Sequence, residues 1–296
     1  MENSPNNSLN IPPRIAAIHD LSGAGKCSLT VALPVLSAMG CEVCALPTAI
    51  LSTHTGNIPG FTYRDLTDDL PRAAAHWAML GLRFDAIYTG FAASARQLSA
   101  ISDAVDILRS PGALVLVDPV MGDHGVLYKT YTADMVSAMR RLCTKADIIT
   151  PNLTEAAMLL DQPYSAKART ERTLSETLKS LLSLGPKCAL ITGIEFDDGQ
   201  LGVAVSDRSV SGDIFVKRPA IPGVWYGTGD LFASVFLGAT LAGAPVGDSA
   251  ALAADTTCSA IERTRRNETD PRFGVHFEAE LGNLYQFTST WRAKLS

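Results

Sequence analysis

Short apolar runs alternate along this chain with longer stretches of helical spacing. Residues 14–19, 41–46, 85–89, 114–117, 147–149 and 187–192 are nearly continuous in apolar side chains and read as strands. Residues 28–39 (despite Pro34), 64–80, 95–108, 132–143, 154–160 and 172–184 read as helices. Residues 202–206 and 214–217 pattern as a hairpin, and 231–241 and 249–263 as closing helices. Strands that are apolar on both faces and separated by helices predict an α/β fold with a mainly parallel sheet covered on both sides. In such sheets ligands bind beyond the carboxyl ends of the strands. His19, Thr89, Asp118, Thr150 and Thr192 each stand at the end of an apolar run.

Composition narrows the class. Of 296 residues, 47% are hydrophobic and 19% charged, enough apolar material for a sizeable core. Length allows two domains, but an α/β chain of this size often forms one; residues 14–296 are expected to be a single domain. Residues 1–13 hold three prolines and four asparagines, lack the pattern of a secretory signal and are expected to be a disordered extension. The net charge of −5 exerts no strong pull on nucleic acid or an anionic membrane. Arg263, Arg265 and Arg266 are the main basic cluster and read as a solvated helix end. No apolar run is long enough to span a bilayer. Cys41 and Cys44 have CxxC spacing, but lie on opposite faces of an expected strand with no second pair to complete a zinc site. Buried thiols and a cytoplasmic location follow as expectations.

Candidate chemistry gathers in five segments. Gly227-Thr228-Gly229-Asp230 opens the apolar run 231–238. A small-residue turn before a helix leaves unpaired N–H groups at the positive end of the helix dipole, a site for an anion. Asp230 beside that site suits a base for phosphoryl transfer to a hydroxyl, although an ordinary helix cap has the same residues. The stretch from His19 to Lys26 is no Walker A loop: position 20 is Asp where glycine is required, and Ser28 comes one place late. It reads as a flexible turn in which Ser22 can donate to a ligand. Residues 47–56 carry Thr48, Ser52, Thr53, His54 and Thr55, a density that suits a polar small molecule or simply a solvated loop. Asp118 ends a hydrophobic strand, where a lone carboxylate calls for a cation or a metal-bound phosphate, with Asp123 on the following loop. Asn152 and Glu155 can share one helix face toward such a metal, or begin a helix with no further role. Thr192-Gly193 ends a further strand at the same edge.

These segments resemble the pyridoxal (vitamin B6) kinases of the ribokinase-like superfamily. The strongest pieces are Asp118-Pro-Val-Met-Gly-Asp123, Thr150-Pro-Asn-Leu-Thr-Glu155 and Gly227-Thr-Gly-Asp230, in order and at these separations; the likeness spans residues 14–263. Ser52-Thr53-His54-Thr55 resembles the family's Ser-Asn-His-Thr segment, with Thr53 for Asn. The resemblance implies a three-layer α/β/α sandwich, ATP as phosphoryl donor, Mg²⁺, a monovalent cation such as K⁺, a B6 vitamer as substrate and a homodimer. It implies Asp230 as base and Gly227, Thr228 and Gly229 as cradle for the transferred phosphoryl group. Asp118, Asp123 and Glu155 correspond to Mg²⁺ positions, and Thr150, Thr192 and Thr228 to the monovalent-cation site. Ser22, Thr48, His54, Thr55 and Phe91 correspond to the substrate side, with Phe91 where many relatives carry Tyr. Asn152, Thr192, Gly193 and Tyr128 correspond to the ATP side. The loop after Asp123 is shorter than in longer-loop members, and the His19-Asp-Leu-Ser start departs from the Ser-His-Val-Val-Tyr-Gly type.

Two rival readings differ in class or substrate. A hydroxymethylpyrimidine kinase of the same superfamily shares Asp-Pro-Val-Met and Thr-Pro-Asn-Leu. Such relatives typically carry Gly-Thr-Gly-Cys where this chain has Asp230, and Gln-Asn-Thr where it has Ser52-Thr-His-Thr55. A non-catalytic binding module on the same fold is disfavoured by the presence together of Asp230, Asp118, Asp123 and Glu155.

Overall fold

A computed structural model describes residues 11–165 and 169–295. Most of the extension expected at 1–13 therefore lies outside the described residues. Six strands form the parallel centre: β1 (Arg14–Ala24), β2 (Glu42–Thr53), β4 (Phe84–Thr89), β5 (Arg109–Val117), β8 (Ile148–Ile149) and β9 (Cys188–Glu195). β3 (Tyr63–Asp65) pairs antiparallel with β2 at one edge. At the other edge β10 (Gln200–Asp207) and β11 (Ile214–Pro219) form the expected hairpin, with β10 antiparallel to β9. The order is β11-β10-β9-β8-β5-β4-β1-β2-β3. The chain leaves β1 for β2 on one side and returns to β4 on the other. That reversal opens a crevice beyond the carboxyl ends of β1 and β4, the usual ligand position in open α/β sheets.

Alternation along each strand divides the core in two. On one face Ala16, Ile18, Ile87, Val115 and Val117 pack with side chains of α2 (Asp69–Met79), α3 (Ala95–Leu108), α4 (Ala133–Cys143), α5 (Leu153–Leu159) and α6 (Glu171–Leu182). On the other, Ile15, Ala86, Tyr88 and Leu116 pack with α1 (Leu29–Ala38), α7 (Thr228–Leu241), α8 (Val246–Arg266) and α9 (Leu281–Leu295). The three-layer sandwich expected from the sequence is the architecture found. α7 is buried along Leu231 to Ala239, which is why its sequence is apolar all round.

Four expectations change. β1 runs to Ala24, so most of the supposed flexible turn is strand; beyond a register shift at His19/Leu21 it pairs Leu21, Ser22 and Ala24 with Ile50, Leu51 and Thr53. A paired neighbour supplies the ladder that Gly and Ser disfavour locally. β2 therefore also continues past residue 46, to Thr53. The helix expected over 64–80 begins at Asp69, because residues 63–65 form the edge strand. A further helix, α9, covers Phe287 and Trp291 against the second core cluster. None of the helices described is long and apolar enough to cross a membrane.

Candidate active site

β4, β5 and β8 end level, while β1, β2 and β9 run on past that line. Ile18 pairs with Leu46 and Thr89, Thr89 with Val117, Val117 with Ile149, and Ile149 with Ala189. The next residues, His19, Gly90, Asp118 and Thr150, therefore form one row along the rim. The Asp118 N–H donates to the Thr89 carbonyl at 2.9 Å, and the Thr150 N–H to the Val117 carbonyl at 3.3 Å. His19 is wholly buried, edge-to-face with Tyr88 at 4.2 Å, and burial holds its imidazole neutral, down to about 3.

α7 begins at this rim. Gly227 caps it in the left-handed region (φ 73°), and no side chain caps its first turn. A Cβ on Gly227 would lie 2.0 Å from the Lys26 carbonyl oxygen. Close packing against the β1–α1 turn thus makes this glycine obligatory, rather than approach to an anion. A Cβ on Gly229 would meet only Asp118 Oδ2, at 3.9 Å. The open first turn of α7 thus faces Asp118. The Thr228 hydroxyl donates to the Trp225 carbonyl at 3.3 Å.

Asp230 sits in the first turn, half-buried as a residue but with its carboxyl crowded by protein. That crowding pushes its carboxyl up to about 7; the negative charge of Asp20 adds to the rise, and a hydrogen bond from the Ser28 backbone opposes it. Asp118 is raised by burial and by Asp230. Glu155 is raised by burial and then by Asp118. Among the described residues no Lys or Arg forms an ion pair with any of the three. The site gathers carboxyl groups that hold their protons for want of a compensating cation.

Asn152 and Glu155 form a capping box at the start of α5. Glu155 N–H donates to Asn152 Oδ1 at 2.9 Å, and Asn152 N–H donates to Glu155 Oε2 at 2.8 Å. Glu155 Oε1 accepts from the Met121 N–H at 3.0 Å, and Asn152 Nδ2 donates to the Gly122 carbonyl at 2.9 Å. The pair therefore braces the loop after Asp118. Asp123 stands on a small hairpin, β6 (Gly122–Asp123) with β7 (Val126–Leu127), exposed, and accepts from the His124 N–H at 2.8 Å. The three acids do not close into a cage: no group of three or more acidic, His or Cys side chains is placed to hold a metal among the described residues. Tyr128 is partly exposed beside these acids, its phenol pushed up by burial and by the charges of Glu155, Asp123, Asp118 and Asp230. Thr192 donates its N–H to the Pro151 carbonyl at 2.9 Å and bridges Asn152, with the exposed Gly193 beyond it (φ 62°). Thr150 Oγ1 is buried without a hydrogen bond of normal geometry, beside the Asp118 carboxyl, whose rise it tempers.

At the residues expected on the substrate side the arrangement differs from the sequence picture. Ser22 is fully buried and donates to Asp20 Oδ2 at 3.1 Å; Ser28 donates to Asp20 Oδ1 at 2.6 Å. Thr48 is also fully buried, its hydroxyl unpartnered. His54 has both ring nitrogens taken by backbone groups. Thr55 is exposed, and Phe91 is half-buried with its ring 6.3 Å from Tyr131. Sequence reasoning missed Asp20, Ser28 and Tyr226. Asp20 carried the same signal as Asp118, a carboxylate beside the end of an apolar run. Ser28, a non-glycine at φ 51°, carried none.

A parallel sheet whose rim brings acidic side chains up to an uncapped helix start suits a small-molecule phosphotransferase of the ribokinase-like kind. The chain belongs to the phosphomethylpyrimidine kinase family, which matches residues 22–272. It is 30% identical over 273 residues to a pyridoxine/pyridoxal/pyridoxamine kinase of Bordetella bronchiseptica, covering 86% of this chain and 90% of that one. Its fold is similar to that of a Bacteroides thetaiotaomicron protein described as a phosphomethylpyrimidine kinase and solved with pyridoxal. That likeness has a TM-score of 0.88 and 43% identity, and covers 93% and 96% of the two chains. It is also similar to pyridoxal kinase from Lactobacillus plantarum, with a TM-score of 0.85 and 35% identity over 94% and 98%.

Proposed function

We propose that this enzyme transfers the γ-phosphoryl group of ATP to the 5′-hydroxymethyl group of pyridoxal, pyridoxine or pyridoxamine. The observation that carries the proposal is the placement of Asp230 in the open first turn of α7, facing Asp118. Asp230 removes the hydroxymethyl proton. The free N–H groups around Thr228 and Gly229, with the helix dipole, stabilise charge on the moving phosphoryl group. Burial, with the charge of Asp20 adding to it, keeps Asp230 proton-hungry; Asp20 is itself held by Ser22 and Ser28. The similarity to the B6 kinases, and to a relative solved with pyridoxal, supports the vitamer as acceptor.

Residues of this site fit a divalent cation. Burial raises the proton affinity of both Asp118 and Glu155, with Asp230 adding to the rise at Asp118 and Asp118 to that at Glu155, and among the described residues no Lys or Arg pairs with either. Mg²⁺ is commonly held by one or two carboxylates, waters and substrate phosphates rather than a full protein cage. Asp118 would hold it, with Glu155 and Asp123 acting through water; the ion would neutralise phosphate oxygens of the nucleotide. The Thr150 hydroxyl, buried beside Asp118 and without a hydrogen bond of normal geometry, fits a monovalent-cation ligand, with Thr192 and Thr228 as the further candidates. Tyr128, Asn152, Thr192 and Gly193 flank the nucleotide side. Six unpaired cysteines fit a reducing, cytoplasmic setting, and a homodimer is the assembly the family likeness supports.

Hydroxymethylpyrimidine is the rival acceptor, because the matching family is described by its phosphate ester. A coupled assay of ATP consumption with the three vitamers and hydroxymethylpyrimidine separates the two. Turnover on at least one vitamer well above that on the pyrimidine is expected; the reverse preference would overturn the proposal.

A further inference from the structure

His54 stands where four segments meet. Its Nδ1 accepts from the Gly56 N–H at 3.1 Å, so Nε2 carries the proton and donates to the Arg272 carbonyl. Its ring lies 5.3 Å from that of Tyr226, two residues before Thr228. Its Cδ2 packs so closely on Gly25 that a Cβ there would sit 3.3 Å away. Asn57 Nδ2 donates to the Tyr226 hydroxyl at 2.6 Å, binding the same two loops a second time. Gly56 leaves no room for a side chain either: its Cβ would lie 2.8 Å from the Tyr226 ring.

The segment that receives the His54 proton is itself a strap. Phe273 accepts from the Lys26 N–H at 3.0 Å, and Gly274 (φ 85°) would place a Cβ 2.5 Å from the Lys26 carbonyl. That same carbonyl packs against Gly227, the first residue of the phosphoryl cradle. A continuous path of contacts runs from the loop after β2, through His54, Arg272 and Lys26, to Gly227.

We propose that His54 is a positioning residue. Its imidazole ties the vitamer-side loop to the 270–274 strap and to the segment entering α7, and so sets that loop against the phosphoryl cradle. With both nitrogens engaged by backbone, it has no polar atom left for the vitamer. The inference rests on the B6 kinase reading of this site and gives its substrate-side loop a mechanical partner.

Three variants test it. His54→Phe keeps a ring beside Tyr226 and removes both hydrogen bonds. His54→Gln places an amide N–H near Nε2 and can restore the tie to Arg272. His54→Asn places a carbonyl near Nδ1 and keeps only the local bond to Gly56. Amide hydrogen exchange in the ligand-free enzyme should quicken at Lys26 and over 272–274 in the Phe and Asn variants, and stay near wild type in Gln. In steady state, His54→Phe should lose about ten- to a hundredfold in kcat through misplacement of the reacting groups. Its vitamer KM should change by less than about threefold, and His54→Gln should recover most of the rate. Unchanged exchange in His54→Phe, or a vitamer KM raised tenfold or more at wild-type kcat, would overturn the proposal. If the Phe variant fails to fold, the Gln and Asn pair decides: wild-type exchange at Lys26 in His54→Asn contradicts it. Exchange is read without substrate, so inactivity toward every vitamer would remove the functional reading and leave this inference to stand or fall on exchange alone.

Discussion

Asp230, the proposed base, stands at a cost to stability at neutral and higher pH. Its carboxyl is raised from an ordinary 3.8 to about 7, first by burial and then by Asp20. The folded state therefore holds this proton more tightly than the unfolded state between those values. The stability it brings is fully present below the unfolded value and is lost as pH rises through about 7. Asp118 and Glu155 are raised too, so they act in the same direction. In the ligand-free enzyme, Asp230→Asn should leave the melting temperature unchanged near pH 4 and raise it by a few degrees near pH 8. A variant equally or less stable at pH 8 would contradict the burial of this charge. The same substitution should lower kcat by about 10²- to 10⁴-fold, the range of a positioned base. Near-normal turnover in Asp230→Asn would remove Asp230 from the mechanism.

The start of α7 separates two kinds of glycine. At Gly227 a methyl group meets the Lys26 carbonyl and a left-handed backbone. Gly227→Ala should cost about 1–3 kcal/mol of stability and most of the activity. Gly229 has open space above it, toward Asp118. Gly229→Ala should keep or slightly raise stability, since Ala favours a helix by roughly 0.5–1 kcal/mol, while its methyl obstructs the cradle and lowers kcat. Thermal melts and rates on the two variants check this; an active Gly229→Ala would mean that the phosphoryl group does not sit over this turn. The motif itself was readable in the sequence, because an anion site needs only a turn, a helix and a carboxylate. Which glycine answers to packing was not readable, because the Lys26 carbonyl lies about two hundred residues away along the chain. The same limit hid the bracing role of Asn152 and Glu155: a capping box and a metal-facing pair share one spacing. It also hid the continuation of β1 through Ser22 to Ala24, where the partner strand rather than local propensity decides.

The architecture followed from periodicity, because a parallel sheet buried on both faces writes its strands as apolar runs and puts its polar residues at their ends. Hydrophobic pattern did not reveal the two-residue hairpin after Met121 or the closing helix α9, which is short of regular apolar spacing. The carboxyl groups gathered in the finished site make ligand binding a test of the whole assembly. Saturating ATP with Mg²⁺ should raise the melting temperature by roughly 5 °C or more, as expected for ligand at about a hundred times its Kd. ATP with a chelator should do far less, because without a cation the Asp118, Asp230 and Glu155 carboxyls offer the phosphates no compensating charge; equal shifts would show that no cation is needed. The most direct measurement is identification of the product when the enzyme is given MgATP with equal pyridoxal and hydroxymethylpyrimidine, by mass spectrometry with phosphorus NMR. Pyridoxal carrying a phosphate ester on its 5′-hydroxymethyl oxygen is the expected product. Phosphorylated pyrimidine with pyridoxal untouched, or free phosphate alone, would contradict it.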